Sequence, residues 1–281
     1  MKITSDIIEA IKNGSEKQFE GFEAKVYLNG NFALKEYKNT YAGLINNTSY
    51  LASICGDDSE LYNILNEYKQ SVNNLVSLGV NTPSIIDYYV ARKKLEYIPY
   101  ILMERVKGSQ VYIESESTKK VLTKDISNTN NGSEKLDGYY KIMLEKLSDA
   151  NQWLFDKFAE DCITIEHSKR IAVDVFGENI YFENNKGFSF LDLQILPIRK
   201  TAIDPLNVQG KTCAGMFNYI LKIKEDLTSN NDLKNKYCDV DNLVRSVVVK
   251  SCKALNRAGI KDEDIFNSYN NANKIFNILT K

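Results

Sequence analysis

The first apolar segments of the chain alternate with polar residues, as strands do. "AKVYL" (24–28) and "FALKEY" (32–37) have this two-residue period, and "NGN" (29–31) between them is typical of a tight turn. Residues 19–37 are therefore predicted to form a β-hairpin.

The period then changes from two residues to three or four. Between Asp57 and Gly79, apolar residues recur at this spacing. They are Leu61, Leu65, Tyr68, Val72 and Leu75. An acid at the start and a glycine at the end are typical helix boundaries, so this segment is predicted to be a helix. "PSIIDYYVAR" (83–92) and "LEYIPYILMERV" (95–106) predict two more strands. The pattern predicts a small antiparallel sheet with one helix against it.

The second half of the chain is predicted to be mainly helical. Residues 113–137 are poor in aromatic residues and rich in Ser, Asn and Lys, which favours an exposed insertion. A long helix is predicted over 138–160, and its core positions would be Tyr140, Met143, Leu144, Leu147, Trp153 and Leu154. Three further helices are predicted over 203–227, 240–256 and 262–280. The expected fold class is α+β with two lobes, 1–106 and 107–281.

Composition narrows the class of protein only slightly. The 281 residues are 43% apolar and 26% charged, with a net charge of −1, as in ordinary globular domains. This balance gives no electrostatic reason to expect nucleic acid or an anionic membrane. No apolar stretch is long enough to span a bilayer, and the N-terminus lacks the pattern of a secretory signal. Five scattered cysteines favour a reduced, cytoplasmic location.

Polar chemistry concentrates in the segment 171–194. "NIYF" (179–182) and "FSFLD" (188–192) are predicted to pair as a hairpin around "NNKG" (184–187). If Glu183 pairs with Phe188, Asn179 falls opposite Asp192, and directly opposed residues have Cβ atoms about 5 Å apart. An amide oxygen and a carboxylate at that separation suit Mg²⁺, which also keeps waters and substrate phosphates.

Asp174 precedes this hairpin by one loop and would face the same space. The series Asp174, Asn179, Asp192 has the spacing D-x-x-x-x-N followed by a later acid, and it resembles the protein-kinase-like superfamily. The acid of the family's D-F-G motif would stand in "LDL" (191–193). The resemblance implies ATP and Mg²⁺ as cofactors, with Asn179 and Asp192 on the metal. It also implies that Asp174 orients an acceptor hydroxyl.

The same resemblance extends to the first hairpin. "FALK" ends in Lys35, which would bind the α- and β-phosphates, and Ala33 on the same strand face would admit the adenine. The family's glycine-rich loop falls on residues 19–26, where only Gly21 survives. This departure predicts a less intimate phosphate lid or weaker nucleotide binding.

Two more parts of the family pattern have counterparts. Glu67 on the predicted helix would hold Lys35, with Glu60 as the second choice. "YILMERVKG" (100–108) resembles the strand-to-hinge segment, which puts Met103 at the gatekeeper position. The Glu104 carbonyl and the Val106 amide would then face the adenine.

The molecule that accepts the phosphate is harder to predict than the nucleotide that donates it. Ala172 and Val173 stand where protein kinases of the eukaryotic type carry His-Arg, and no A-P-E segment follows. In these omissions the chain is similar to kinase effectors that some bacteria deliver into host cells, which favours an atypical Ser/Thr protein kinase. An activating protein partner is also expected. The alternatives are a small-molecule kinase of the aminoglycoside or choline type and a pseudokinase scaffold.

Overall fold

The computed structural model describes most of the chain in nine stretches. They are residues 2–20, 24–37, 58–93, 96–113, 132–168, 171–172, 179–195, 205–228 and 239–279. The strands in these stretches are β1 Lys17–Glu20, β2 Ala24–Asn29, β3 Phe32–Tyr37, β4 Ile85–Lys93, β5 Glu96–Glu104, β6 Ser109–Gln110, β7 Ile171–Ala172, β8 Ile180–Glu183, β9 Gly187–Phe190 and β10 Gln194–Ile195. The helices are α1 Ser5–Asn13, α2 Asp58–Ser77, α3 Gly132–Asp149, α4 Gln152–His167, α5 Pro205–Thr228, α6 Val240–Arg257 and α7 Asp262–Leu279.

The first five strands form one antiparallel sheet in the order β1-β2-β3-β5-β4. The hairpin and the two later strands are confirmed, and β1 extends the sheet by one strand. Residues of β3 alternate between the two faces, so that Ala33, Lys35 and Tyr37 share one face while Leu34 and Glu36 share the other. This alternation directs Lys35 toward the interior of the molecule.

Two helices cover the sheet, although only one was predicted. The predicted helix is confirmed as α2, and all five of its predicted core positions are buried. It packs against β4 and joins the main apolar core. The unpredicted helix, α1, lies on the opposite face, where its Ile8 and Ile11 join a smaller cluster with Leu34 and Leu102.

The long helix predicted over 138–160 is wrong, because two helices occupy this region. The chain leaves the helical conformation at Asn151, whose ψ of 144° is extended, and α4 begins at the next residue. The ammonium of Lys250 supports the break because it donates to the carbonyls of Ser148 and Ala150. Trp153, a predicted core residue, is 54% exposed at the start of α4.

The other predicted core positions of this region are buried, as expected, and the three C-terminal helices are confirmed as α5, α6 and α7. The predicted insertion ends earlier than expected, because α3 already begins at Gly132. The segment 114–131 lies outside the described residues. Phe155 and Phe158 of α4 pack on Phe188 and Phe190 of β9, which attaches the second hairpin to the helices.

The predicted α+β class is confirmed, with a small antiparallel sheet followed by a larger, mainly helical part. This arrangement is consistent with the bilobal, kinase-like fold that the sequence resemblance implies. The division into lobes at residues 106 and 107 stays a prediction. Within the described stretches, no helix is both long enough and apolar enough to cross a membrane.

Candidate active site

A cavity of about 1000 Å³ lies between the inner face of the five-stranded sheet and the β8–β9 hairpin. Its lining combines apolar side chains with a smaller number of polar and charged ones. The sheet contributes Ala24, Val26, Leu28, Ala33, Ile85 and Met103. Lys35 projects from this same face of the sheet, and Asn179 and Asp192 lie opposite it. A cleft with one apolar wall and a few convergent polar groups is typical of a small-molecule site.

Lys35 and Asp192 form an ion pair inside this cleft. The Lys35 ammonium also lies over the ring of Tyr37, 4.9 Å from its centre, because both side chains point from the same face of β3. Both members of the ion pair are largely shielded from solvent. A positive and a negative group are therefore held side by side in a partly dry volume, where each interacts more strongly with a charged ligand than it would in water.

The predicted register of the second hairpin is wrong by one residue. Glu183 pairs with Gly187 and not with Phe188, and the Lys186 amide donates to the Glu183 carbonyl at 3.0 Å. Gly187 has a φ of +84°, which allows it to follow the turn and enter the strand at once. Asn179 consequently lies opposite Leu191, whose amide donates to the Asn179 carbonyl at 2.7 Å.

Asn179 and Asp192 nevertheless line the same cleft. Strand alternation alone would direct them to opposite faces once the register is shifted by one. Strand β9 ends at Phe190, however, and Asp192 has a φ of +55°, the only positive value among non-glycine residues of the described stretches. This left-handed turn breaks the alternation and directs the carboxylate into the cleft.

The predicted hinge lies along one edge of the cleft, where Met103, Glu104 and Val106 all contribute to its lining. Among the described residues, none accepts a hydrogen bond from the Val106 amide. The hinge then passes very close to β8 at Gly108, where a Cβ would lie 2.6 Å from the Phe182 carbonyl oxygen. Only glycine allows this approach, and it lets β6 pair with β8 immediately afterwards.

Helix α2 presents a different side chain to the cleft from the one predicted. Tyr68 and Val72 line the cleft, whereas Glu67 lies half-buried beside Tyr68 and does not belong to the lining. The Tyr68 hydroxyl donates to the Leu193 carbonyl at 2.7 Å. The assignment of Glu67 to Lys35 stays a prediction, and the side chain of Glu60 lies outside the described ones.

Two of the predicted site residues, Gly21 and Asp174, lie outside the described residues. The groups brought together in the cleft are therefore Ala33, Lys35, Met103, Glu104, Val106, Asn179 and Asp192. The cleft is also lined by Tyr68, Thr82 and Tyr181, which the sequence pattern did not indicate as site residues. Burial alone raises the pKa of Tyr181 to about 12, so its phenol stays neutral. Strand alternation could have indicated Tyr181, because Ile180 and Phe182 on either side of it are buried.

The donor set suits a hard divalent cation that keeps part of its solvent shell. Asn179 and Asp192 supply one amide and one carboxylate, both oxygen ligands of the kind Mg²⁺ takes. No cluster of three or more His, Cys, Asp or Glu residues that could hold a metal occurs within the described stretches. A cation bound here would need further oxygen ligands, which waters and the phosphates of a nucleotide provide.

Comparison with solved structures finds 89 similar chains, among them two with kinase-related descriptions. One is WbdD, in a co-crystal with the kinase inhibitor LY294002, with a TM-score of 0.37 and 10% identity over 88% of this chain and 46% of that one. The other is the MAP kinase LmaMPK10 from Leishmania major, with a TM-score of 0.35 and 9% identity over 97% of this chain and 96% of that one. The chain thus spans under half the length of WbdD. No protein-family model and no curated protein sequence matches it.

Proposed function

We propose that the chain is an ATP- and Mg²⁺-dependent phosphotransferase that moves the γ-phosphate to a hydroxyl group. The ion pair of Lys35 and Asp192, set in an apolar cleft together with Asn179, is the observation that carries this proposal. A lysine ammonium suits phosphate oxygens, and the acid and the amide suit the metal that accompanies a triphosphate. The ion pair places the phosphate-binding group next to the metal-binding group.

Each part of the cleft has one task in this proposal. The apolar wall around Ala33 and Met103 would hold the base, and the Val106 amide would donate to it. Lys35 would bind the phosphates, while Asn179 and Asp192 would hold the metal, which when bound neutralises the charge of the phosphates. Asp174 would orient the acceptor hydroxyl and accept its proton.

For the acceptor we propose a serine or threonine hydroxyl of a protein. The departures of residues 172–176 from the usual catalytic loop support an atypical enzyme. A small-molecule acceptor of the aminoglycoside or choline type is the alternative, supported by the "GVNTP" turn (79–83) between α2 and β4. A non-catalytic nucleotide-binding module is the second candidate, and the retention of only Gly21 from the glycine-rich loop pattern of residues 19–26 favours it.

Nucleotide binding is the first test of the proposal. Thermal unfolding is followed with ATP alone, with Mg²⁺ alone and with both together, for the wild type and for Asp192→Ala. We expect ATP with Mg²⁺ to raise the Tm of the wild type most and this Mg²⁺-dependent increment to disappear in Asp192→Ala. Asp264→Ala, an exposed acid in the first turn of α7, is the control and retains the increment. Absence of any nucleotide effect in the wild type would overturn the proposal.

Phosphate transfer is the second test. The protein is incubated with radiolabelled ATP and Mg²⁺ alone, with generic protein acceptors, with aminoglycosides and with choline. Label on protein that is lost in Asp192→Ala supports the protein kinase, and label on a small molecule supports the alternative. Magnesium-dependent binding without transfer to any acceptor supports the non-catalytic module. Transfer that survives in Asp192→Ala contradicts the assignment of the metal site.

A further inference from the structure

The cleft face of α2 is connected directly to the segment that carries Asp192. Tyr68 is only 5% exposed, and its hydroxyl donates to the carbonyl of Leu193, the residue after Asp192. The two partners are separated by 125 positions in the chain, and their bond is fully buried. A buried bond of this kind is costly to lose, because the remaining carbonyl has no water to replace its partner.

A second connection reaches the same segment from the other side. The Thr82 hydroxyl donates to the Phe190 carbonyl at 2.9 Å, and the Asn81 carbonyl accepts from the Phe190 amide at 2.9 Å. Both residues belong to the turn between α2 and β4. Asp192 is therefore flanked, two residues before and one residue after, by hydrogen bonds to the α2–β4 region.

The conformation of Asp192 explains why such support is needed. Its φ of +55° is a value that residues with a Cβ adopt only at an energetic cost. Conformations of this kind persist where the surrounding structure holds them in place. Hydrogen bonds on both sides of the residue supply that restraint, because they fix the backbone carbonyls of Phe190 and Leu193.

Tyr68 acts here as a neutral donor and not as a charged partner. Burial raises its pKa well above the usual range, and the nearby Asp192 raises it further while Lys35 lowers it. The phenol therefore stays protonated at physiological pH. It keeps its donor proton for the Leu193 carbonyl.

We propose that Tyr68 is a positioning residue for metal binding, and that together with Thr82 it holds the Asp192 carboxylate in the orientation that the cation requires. This inference rests on the proposed function. In this role the hydroxyl acts through the backbone beside Asp192, by its bond to the Leu193 carbonyl. Without it the left-handed turn at Asp192 loses the hydrogen bond that follows it in the chain, and the carboxylate is directed into the cleft for a smaller fraction of the time.

The test compares Tyr68→Phe with Tyr62→Phe. Tyr62 is on the same helix but 40% exposed and outside the cleft lining, so the control removes the same atom at a remote site. ATP affinity is measured by calorimetry without Mg²⁺ and at several Mg²⁺ concentrations. Mg²⁺ is expected to increase the ATP affinity of both variants. For Tyr68→Phe we expect the Mg²⁺ concentration that gives half of this increase to rise about three- to tenfold, the factor that corresponds to the loss of one buried hydrogen bond. Affinity without Mg²⁺ should change less than about twofold, since the binding groups are intact.

The outcomes separate this inference from the proposed function. A lower Tm in Tyr68→Phe with an unchanged Mg²⁺ requirement would mean that Tyr68 is only structural and would overturn the inference. Absence of ATP binding in the wild type would instead overturn the proposed function. If Tyr68→Phe does not fold, Thr82→Val removes the matching bond to Phe190. The same rise in Mg²⁺ requirement is then expected, and no rise would refute the inference.

Discussion

The ammonium of Lys35 and the carboxylate of Asp192 pair with each other although 157 positions separate them in the chain. Lys35 belongs to strand β3, and Asp192 belongs to the turn after β9. Their side chains are 14% and 27% exposed, so most of the solvent that would weaken the pair is excluded. This contact joins the five-stranded sheet to the second hairpin at the point where the proposed chemistry takes place.

Coupling between these two charges is measurable in a double-mutant cycle with Lys35→Met and Asp192→Asn. Each single variant leaves one shielded charge without this partner, and we expect it to lower the free energy of unfolding by about 1–2 kcal/mol. The double variant removes both charges, so its loss should be smaller than the sum by about 1 kcal/mol. Urea denaturation gives the three values, and strict additivity would contradict the coupling.

Close backbone approach at the hinge predicts that Gly108→Ala destabilises the protein strongly. The new Cβ would lie 2.6 Å from the Phe182 carbonyl oxygen, and the φ of +105° disfavours any side chain. Strain and clash together should cost about 3 kcal/mol or more in the free energy of unfolding.

Gly79→Ala is the matched control for this prediction. Gly79 also has a positive φ, +88°, but its added Cβ would meet nothing within 4 Å. We expect this variant to lose only the cost of the left-handed conformation, about 1–2 kcal/mol. Chemical denaturation gives the free energy of unfolding of both variants. Equal losses in the two would show that the backbone near Phe182 moves to accommodate the new Cβ at no energetic cost.

Most helices and strands were predictable because their apolar periods agree with the final packing. The repeat of Leu61, Leu65, Tyr68, Val72 and Leu75 predicts α2, and all five are buried. Helix α1 was not predicted, because its nine residues are too few to form a stable helix in isolation, although Ile8 and Ile11 have helical spacing. Its stability depends on packing against the outer face of the sheet, which no local pattern reports.

The cleft was predictable in composition but not in geometry. Asn179 and Asp192 were identified from their spacing and Lys35 from the family resemblance, and all three line one cavity. The predicted pairing of Asn179 with Asp192 is wrong, because the register differs by one residue; the left-handed φ of Asp192 compensates for the shift. Backbone conformation at a single aspartate has no clear sequence signal. Tyr68 was missed as a cleft residue because tyrosine at a core position looks like ordinary packing.

Two buried tyrosines in the helical part predict opposite effects of the same substitution. The Tyr219 hydroxyl is buried, and none of the described residues accepts or donates a hydrogen bond to it. The Tyr140 hydroxyl is equally buried but donates to the Ile113 carbonyl at 2.8 Å. We expect Tyr219→Phe to raise the free energy of unfolding by about 1 kcal/mol and Tyr140→Phe to lower it by a similar amount.

Thermal denaturation of the two variants and the wild type shows whether each substitution raises or lowers the stability. A loss of stability in Tyr219→Phe would mean that its hydroxyl has a partner in solution, such as an internal water. No change in Tyr140→Phe would mean that the bond to Ile113 contributes nothing net.

The outer face of the sheet carries a polar cluster directly behind Lys35. Glu36 accepts hydrogen bonds from the hydroxyls of Tyr27 and Tyr100 at 2.9 and 2.8 Å, and its carboxylate pairs with Lys12 of α1 at 3.0 Å. Burial raises the pKa of Glu36, but the bonds from Lys12, Tyr100 and Tyr27 outweigh it, so the pKa falls below its ordinary value of 4.5. This cluster fastens α1 to β3.

A carboxylate with a lowered pKa stabilises the folded state in a pH-dependent way. Its contribution is present above the unfolded pKa of 4.5 and is lost as pH falls through the lower pKa of the folded state. We therefore expect Glu36→Gln to lower the Tm at pH 7 and to approach the wild type as pH falls below about 4. Glu9→Gln is the control, because Glu9 is an exposed acid of α1 that lies 3.8 Å from the same Lys12, and this variant should follow the wild type at every pH. A Tm difference between Glu36→Gln and the wild type that stays constant from pH 7 to pH 3 would contradict the role of the Glu36 charge in holding α1 on the sheet.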